Sequence, residues 1–129
     1  MNRVSKITIA GIEFPMCFTV SAQDEFSEKC GSVEKMMDLF DENDSSKTID
    51  NTVWLLSVLI KCGIRHEKVI AGLNHESYTG PDILPYETLR ELIGFDDLLE
   101  LQNALMDCIG TSTKPTVEAE PEKKTKATQ

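Results

Sequence analysis

The residues of this chain best suited to chemistry are Cys62, His66 and His75. Cys62 and His66 are four apart, close enough to share a helix face, but the intervening Gly63 is a natural helix end. His75 is the one further soft ligand nearby, so a zinc site would lack a fourth donor. A Cys/His nucleophilic pair needs a third group to hold the base, and no glycine-rich turn or nucleophile elbow accompanies these residues. Asp41-Glu42-Asn43-Asp44-Ser45-Ser46 carries three carboxylates in four residues. It lacks the D-x-D-x-D-G spacing and distal Glu of a calcium loop, and reads as a solvated loop. The expectation is a protein without catalytic residues, metal or other cofactor.

The 129 residues carry a formal charge of −9. The last nineteen hold four lysines against three glutamates, which leaves −10 on the remainder. Such a body repels nucleic-acid phosphates and anionic membranes, so neither is an expected partner. Cys17, Cys30, Cys62 and Cys108 are scattered, form no C-x-x-C pair and sit in apolar patterns. With no apolar leader after Met1, they read as free thiols of a cytoplasmic protein.

One stretch organises the rest. Between Asp50, a candidate N-cap, and Gly63, a candidate helix end, lie Val53, Trp54, Leu55, Leu56, Val58, Leu59, Ile60 and Cys62. A helix apolar on nearly every side is surrounded by other elements. Its polar positions, Ser57 and Lys61, are four apart and mark the stripe that can reach water. Trp54 is expected inside the core.

Before it, Lys6-Ile7-Thr8-Ile9-Ala10, Gly11 and a run from Phe14 to Val20 predict a β-hairpin over 6–20, with Pro15 at a start or edge. Such a hairpin is marginal alone and must rest on helices. Ser21 and Gly31 bound a helix over 22–30; Val33, Met36, Met37 and Phe40 predict another over 33–40. After the central helix, 65–73 is helical in pattern and 74–84 is a loop. Pro85 starts a short helix to Ile93 with Leu89 and Leu92 inward. Asp96 caps a last helix, 97–109, closed by Gly110. The fold expected is α+β, mainly α-helical, with the hairpin on about five helices around a central buried one. It occupies a single domain, 1–110, and residues 111–129 have the composition of a disordered polar tail. Tyr78, Tyr86 and Phe95 fall where surface is expected. They are candidate partner-binding residues, or else they close the core under the loop.

Ile7-Thr8-Ile9-Ala10-Gly11-Ile12-Glu13-Phe14, then Phe18-Thr19 with Ala22, then Glu28-Lys29-Cys30-Gly31-Ser32-Val33-Glu34, and finally Trp54-Leu55-Leu56-Ser57-Val58-Leu59-Ile60 follow one another in order. The series resembles the tail assembly chaperones of long-tailed (siphovirus-type) phages and prophages of Gram-positive bacteria. In that family an I-x-I-x-G-x-E-[FY] hairpin precedes an F-T-x-x-A helix entry, an E-x-x-G-S-[LVI]-E turn and a W-L-L-x-x-L-I helix. The resemblance spans about 6–110; loop 74–84, with Tyr78 and Gly80-Pro81, departs from the pattern.

The resemblance implies a non-enzymatic protein of the bacterial cytoplasm. It would bind the phage tape measure protein, and in some cases the major tail tube protein, assist tail tube assembly, and leave before the virion is complete. Self-association is compatible with such a coat. The −10 body alone also suits an acidic inhibitor or adaptor that mimics nucleic acid, and Cys62, His66 and His75 a small metal enzyme.

The family's longer product, made by programmed ribosomal frameshifting, gives a prediction at the level of the gene. Glu122-Lys123-Lys124 holds the one adjacent lysine pair. An A-rich slippery heptamer is expected over those two lysine codons, with an overlapping frame open beyond the Gln129 codon. Sequencing the gene checks this; stops in both alternative frames would remove it.

Overall fold

The computed structural model describes residues 4–31 and 45–112. The expected helix over 33–40, the loop carboxylates Asp41, Glu42 and Asp44, and the tail from 113 onward lie outside them.

The hairpin is formed by β1 (Ser5–Ile9) and β2 (Ile12–Met16), paired antiparallel with Ile9 opposite Ile12 and Ile7 opposite Phe14. Ala10 and Gly11 link the strands with φ of 54° and 81°. Two consecutive positive values are the type I′ signature, whose twist matches that of the strands. Period-2 alternation sorts the side chains, with Ile9, Phe14 and Met16 buried and Lys6, Thr8 and Glu13 exposed.

The second strand stops at Met16 and does not reach Val20. The Cys17 N–H leaves the ladder and donates to the Leu59 carbonyl at 3.1 Å. Two residues later the Thr19 hydroxyl accepts from the Ala22 N–H at 3.3 Å, so Thr19, not Ser21, caps α1 (Val20–Cys30). Gly31 ends α1 as expected, in the left-handed region at φ 93°, its N–H on the Ser27 carbonyl.

The largest departure from the expected fold is α2 (Ser45–Leu73), a single 29-residue helix where the sequence suggested separate helices over 50–63 and 65–73. At ~1.5 Å per residue it is about 43 Å long. Asp50 lies within it rather than capping it, and Ser45 and Ser46 are its first residues. Gly63 does not break it. A Cβ at Gly63 would fall on the Pro15 carbonyl and 2.8 Å from the Met16 Cα, so this glycine admits the backbone of β2. The helix ends at Leu73, where the 65–73 segment was expected to end, and His75 closes it. That residue takes φ 59° while the Glu76 N–H donates to the Ala71 carbonyl (2.7 Å) and the His75 N–H to that of Gly72 (3.1 Å). This is a Schellman closure with histidine in glycine's usual place.

Pro85 precedes α3 (Tyr86–Leu92). A 3-10 turn, Phe95–Asp97, leads into α4 (Leu98–Ser112), which continues through Gly110. The carboxylate at this entry is that of Asp97, accepting the Gly94 N–H at 2.8 Å, rather than that of Asp96. The described residues therefore form four helices, one 3-10 turn and a hairpin. The mainly helical class and the central buried helix stand as expected, while the merger of two helices alters the count.

From Thr52 to Ile64 the middle of α2 is the core, ringed by Phe14, Met16, Phe18, Phe26, Leu89, Leu101 and Leu105. Trp54 is only half-buried: it stacks on Phe26 (centroids 5.7 Å apart), and the Lys29 ammonium lies 4.9 Å from its ring centre. Thr52 is the one buried polar residue among those described. Its hydroxyl donates to the Thr48 carbonyl (2.8 Å) and accepts from the Gln102 amide (3.3 Å), tying α2 to α4. None of the helices is long and apolar enough to cross a membrane among the described residues.

Two glycines of α2 give a paired prediction. Gly63→Ala gains helix propensity but drives a methyl into the β2 backbone. The unfolding free energy should fall by about 2–3 kcal/mol. Gly72→Ala meets nothing within 4 Å and should raise stability by about 0.5 kcal/mol. Urea unfolding of both variants checks the sign of each change.

Candidate functional site

Because α2 runs through Gly63, Cys62 and His66 do lie one turn apart on a single helix. With Thr19, Ser21, Arg65 and Val69 they line a shallow depression of about 210 Å³. His75 is past the helix end and exposed. No group of three His, Cys, Asp or Glu side chains converges as a metal ion would need, among the described residues. The Cys62 thiol is buried and bonded to the Thr19 hydroxyl. Burial pushes its pKa above the ordinary 9.0; the nearby Glu25 carboxylate adds to the rise, while the Thr19 bond, Lys61 and Arg65 oppose it. A thiol held protonated in this way is a poor nucleophile.

The stripe of α2 expected to reach water is partly exposed, and α1 meets it at Lys61. Ser57 donates to the Trp54 carbonyl at 2.6 Å, and Lys61 pairs with Glu25 of α1 at 2.7 Å.

The three candidate partner residues do not form one surface. Tyr78 is half-buried; its hydroxyl donates to the Pro81 carbonyl at 2.8 Å, folding the 76–85 loop over its ring, and the Lys68 ammonium lies 5.6 Å from the ring centre. Its pKa is raised, first by burial and then by Glu67 and Asp82. Tyr86 is also half-buried. Its hydroxyl donates to Asp50 (3.2 Å) and accepts from Arg90 (3.3 Å), and Arg90 also pairs with Asp50 at 3.3 Å. The Tyr86 hydrogen bond, followed by the Asp50 charge, raises the pKa of the Arg90 guanidinium. Asp50, expected as a cap, thus belongs to a triad joining α2 to α3.

Phe95 is different. It is 75% exposed, and Leu99, one turn further along, is 71% exposed. Phe95 also walls a cleft of about 150 Å³ with Ile49, Val53, Arg90 and Leu98. Leu92, expected inward, is 44% exposed and does not join this cleft; it lines a groove between β1 and α4. Tyr86 and Phe95 therefore flank the Asp50–Arg90 pair, while Tyr78 lies apart beside β2, in a cleft with Glu13 and Pro15.

A second feature escaped the sequence. Between the outer side of β1 and α4 runs a groove of about 630 Å³, floored by Ile7, Ile9, Leu101 and Ala104 and rimmed by Asp97, Glu100 and Asp107. The spacing of those three carboxylates along one helix face was its one visible trace.

Comparisons with protein-family models, with curated proteins and with solved structures find no match to this chain.

The raised Cys62 value fixes the sign of a pH effect. Unfolded, the thiol ionises near 9.0; folded, it keeps its proton to higher pH. Its contribution to stability is complete below that value and is lost as pH rises through the folded value. The unfolding free energy should therefore fall between about pH 8 and about pH 10, and less steeply in Cys62→Ala. Urea unfolding of both proteins across that range checks it.

Proposed function

We propose that this chain is a non-enzymatic tail assembly chaperone that binds the phage tape measure protein and assists tail tube assembly in the cytoplasm of a bacterial host. The observation that carries the reading is the exposed apolar pair Phe95 and Leu99, one turn apart, set among Asp50, Glu91 and Asp96. Exposed aromatic and aliphatic side chains take up the apolar stripe of a client helix. The surrounding carboxylates keep an abundant coat protein from associating unspecifically. The resemblance of the ordered motif series to those chaperones adds support, since the series includes Gly11 of the hairpin turn, Gly31 of the α1 cap and the Trp54–Ile60 heart of α2.

On this reading the three candidate residues have different tasks. Phe95 would contact the client directly. Tyr86 would hold α3 through Asp50 and so shape that surface, while Tyr78 would hold the 76–85 loop.

Co-expression with the product of the neighbouring tape measure gene tests this. The tagged chain should retain that protein in a pull-down. Phe95→Ala with Leu99→Ala should weaken retention about tenfold or more while leaving thermal unfolding nearly unchanged. Tyr86→Phe, which removes the hydroxyl shared by Asp50 and Arg90, should instead lower stability by about 1 kcal/mol. No retention by the wild-type chain would overturn the proposed function.

A further inference from the structure

The hairpin has two outer sides, and the fold treats them differently. On the β2 side the backbone packs on α2 from Pro15 onward, with the Pro15 carbonyl against Gly63 and the Cys17 N–H on Leu59. On the β1 side the register leaves backbone groups unused. A two-residue type I′ loop makes Ile9 and Ile12 a hydrogen-bonded pair, and such pairs alternate along an antiparallel ladder. Ile7 and Ser5 therefore point their N–H and carbonyl groups at β2, while Lys6 and Thr8 point theirs outward. Pro15, which has no N–H, stands opposite Lys6, where no ladder donor is required. Among the described residues no hydrogen bond reaches the outward groups of Lys6 or Thr8.

Those outward groups open onto the groove beside α4. Its floor is apolar, and the carboxylates of Asp97, Glu100 and Asp107 stand along its far wall, with Lys6 the one cation lining it. An unpaired edge next to a groove is a template for one more strand. The charge selects which strand. A second copy of this chain would set one acidic wall facing another, whereas a basic segment would neutralise it.

We infer that the β1 edge accepts an extended segment of another protein as a third strand, one in which β-branched residues alternate with Lys or Arg. Its backbone pairs with Lys6 and Thr8, its apolar side chains cover Ile7, Ile9 and Leu101, and its cations reach Glu100 and Asp107. This goes beyond the proposed function: it concerns a different surface and holds whatever the identity of the client bound at Phe95.

The test needs no tape measure protein. A fluorescent synthetic peptide, Lys-Val-Thr-Val-Lys-Val-Thr-Val-Lys, is titrated into the full chain and followed by anisotropy. Binding is expected, and it should weaken about tenfold when three charges change sign by replacing Lys with Glu. Methylating alternate backbone nitrogens, in the register that removes the donors facing β1, should cost about tenfold as well, because two or three backbone hydrogen bonds are lost. On the protein side, Thr8→Pro removes an outward donor at an edge position that tolerates proline, and Glu100→Gln with Asp107→Gln removes the acidic wall; each should weaken binding by a similar factor. The N-methyl peptides leave the protein untouched, so they decide the matter even where Thr8→Pro impairs folding. Absence of binding, equal binding of the Glu peptide, or indifference to N-methylation in both registers would overturn the inference. So would a wild-type dimer that Thr8→Pro dissolves, since the edge would then belong to a second copy.

Discussion

The fold depends on one backbone-to-backbone contact. At Gly63 the flank of α2 has no side chain, and the Pro15–Met16 backbone fills the space, while the Cys17 N–H reaches the Leu59 carbonyl one turn away. A two-stranded hairpin is marginal in water. Here it is held along its β2 side by a helix too close to tolerate a methyl group between them. That contact turns Phe14 and Met16 into the core and sends the chain from Cys17 toward the Thr19 cap. It thereby sets where α1 begins, and with it the meeting of Glu25 with Lys61.

Around this contact, each of the other helices is joined to α2 by a polar tie as well as by packing. α1 is tied through Glu25 and Lys61, α3 through Tyr86, Arg90 and Asp50, and α4 through Gln102 and Thr52. Surface ion pairs contribute little to stability, so the apolar ring around Leu55, Leu56, Leu59 and Ile60 carries most of it. The ties act on geometry: they sit at different heights along α2 and restrict how each helix can slide or rotate over an otherwise smooth aliphatic surface.

Much of this was legible in the sequence. Alternation in 6–10 and the all-round apolar run 53–62 gave the hairpin and the buried helix, because burial imposes those patterns directly. Gly31 and Pro85 were read correctly because their backbone preferences are local. Gly63 was misread because glycine is both a helix end and a helix surface that another chain segment can approach, and only the position of Pro15 in space separates the two. The end of α2 at Leu73 was legible in the pattern, but its closure on His75 was not, since nothing in that side chain announces a left-handed conformation. Of the candidate site, the exposure of Phe95 was anticipated. The split between Phe95 and the two anchored tyrosines depends on hydrogen-bond partners at Pro81 and Asp50 that no local pattern encodes.

The absent side chain at Gly63 also constrains the order in which the molecule assembles. A gap left by a missing methyl exists only once the surrounding helical turn has wound, since in an extended chain the same glycine faces nothing in particular. Residues 17 and 59 are far apart in sequence, so bringing them together must meet a loop-closure entropy before any contact rewards it. The turn around Gly63 therefore has to form first and the hairpin dock onto it afterwards. Between those events the edges of both strands are open, and this interval is when the chain is most exposed to pairing with the wrong partner.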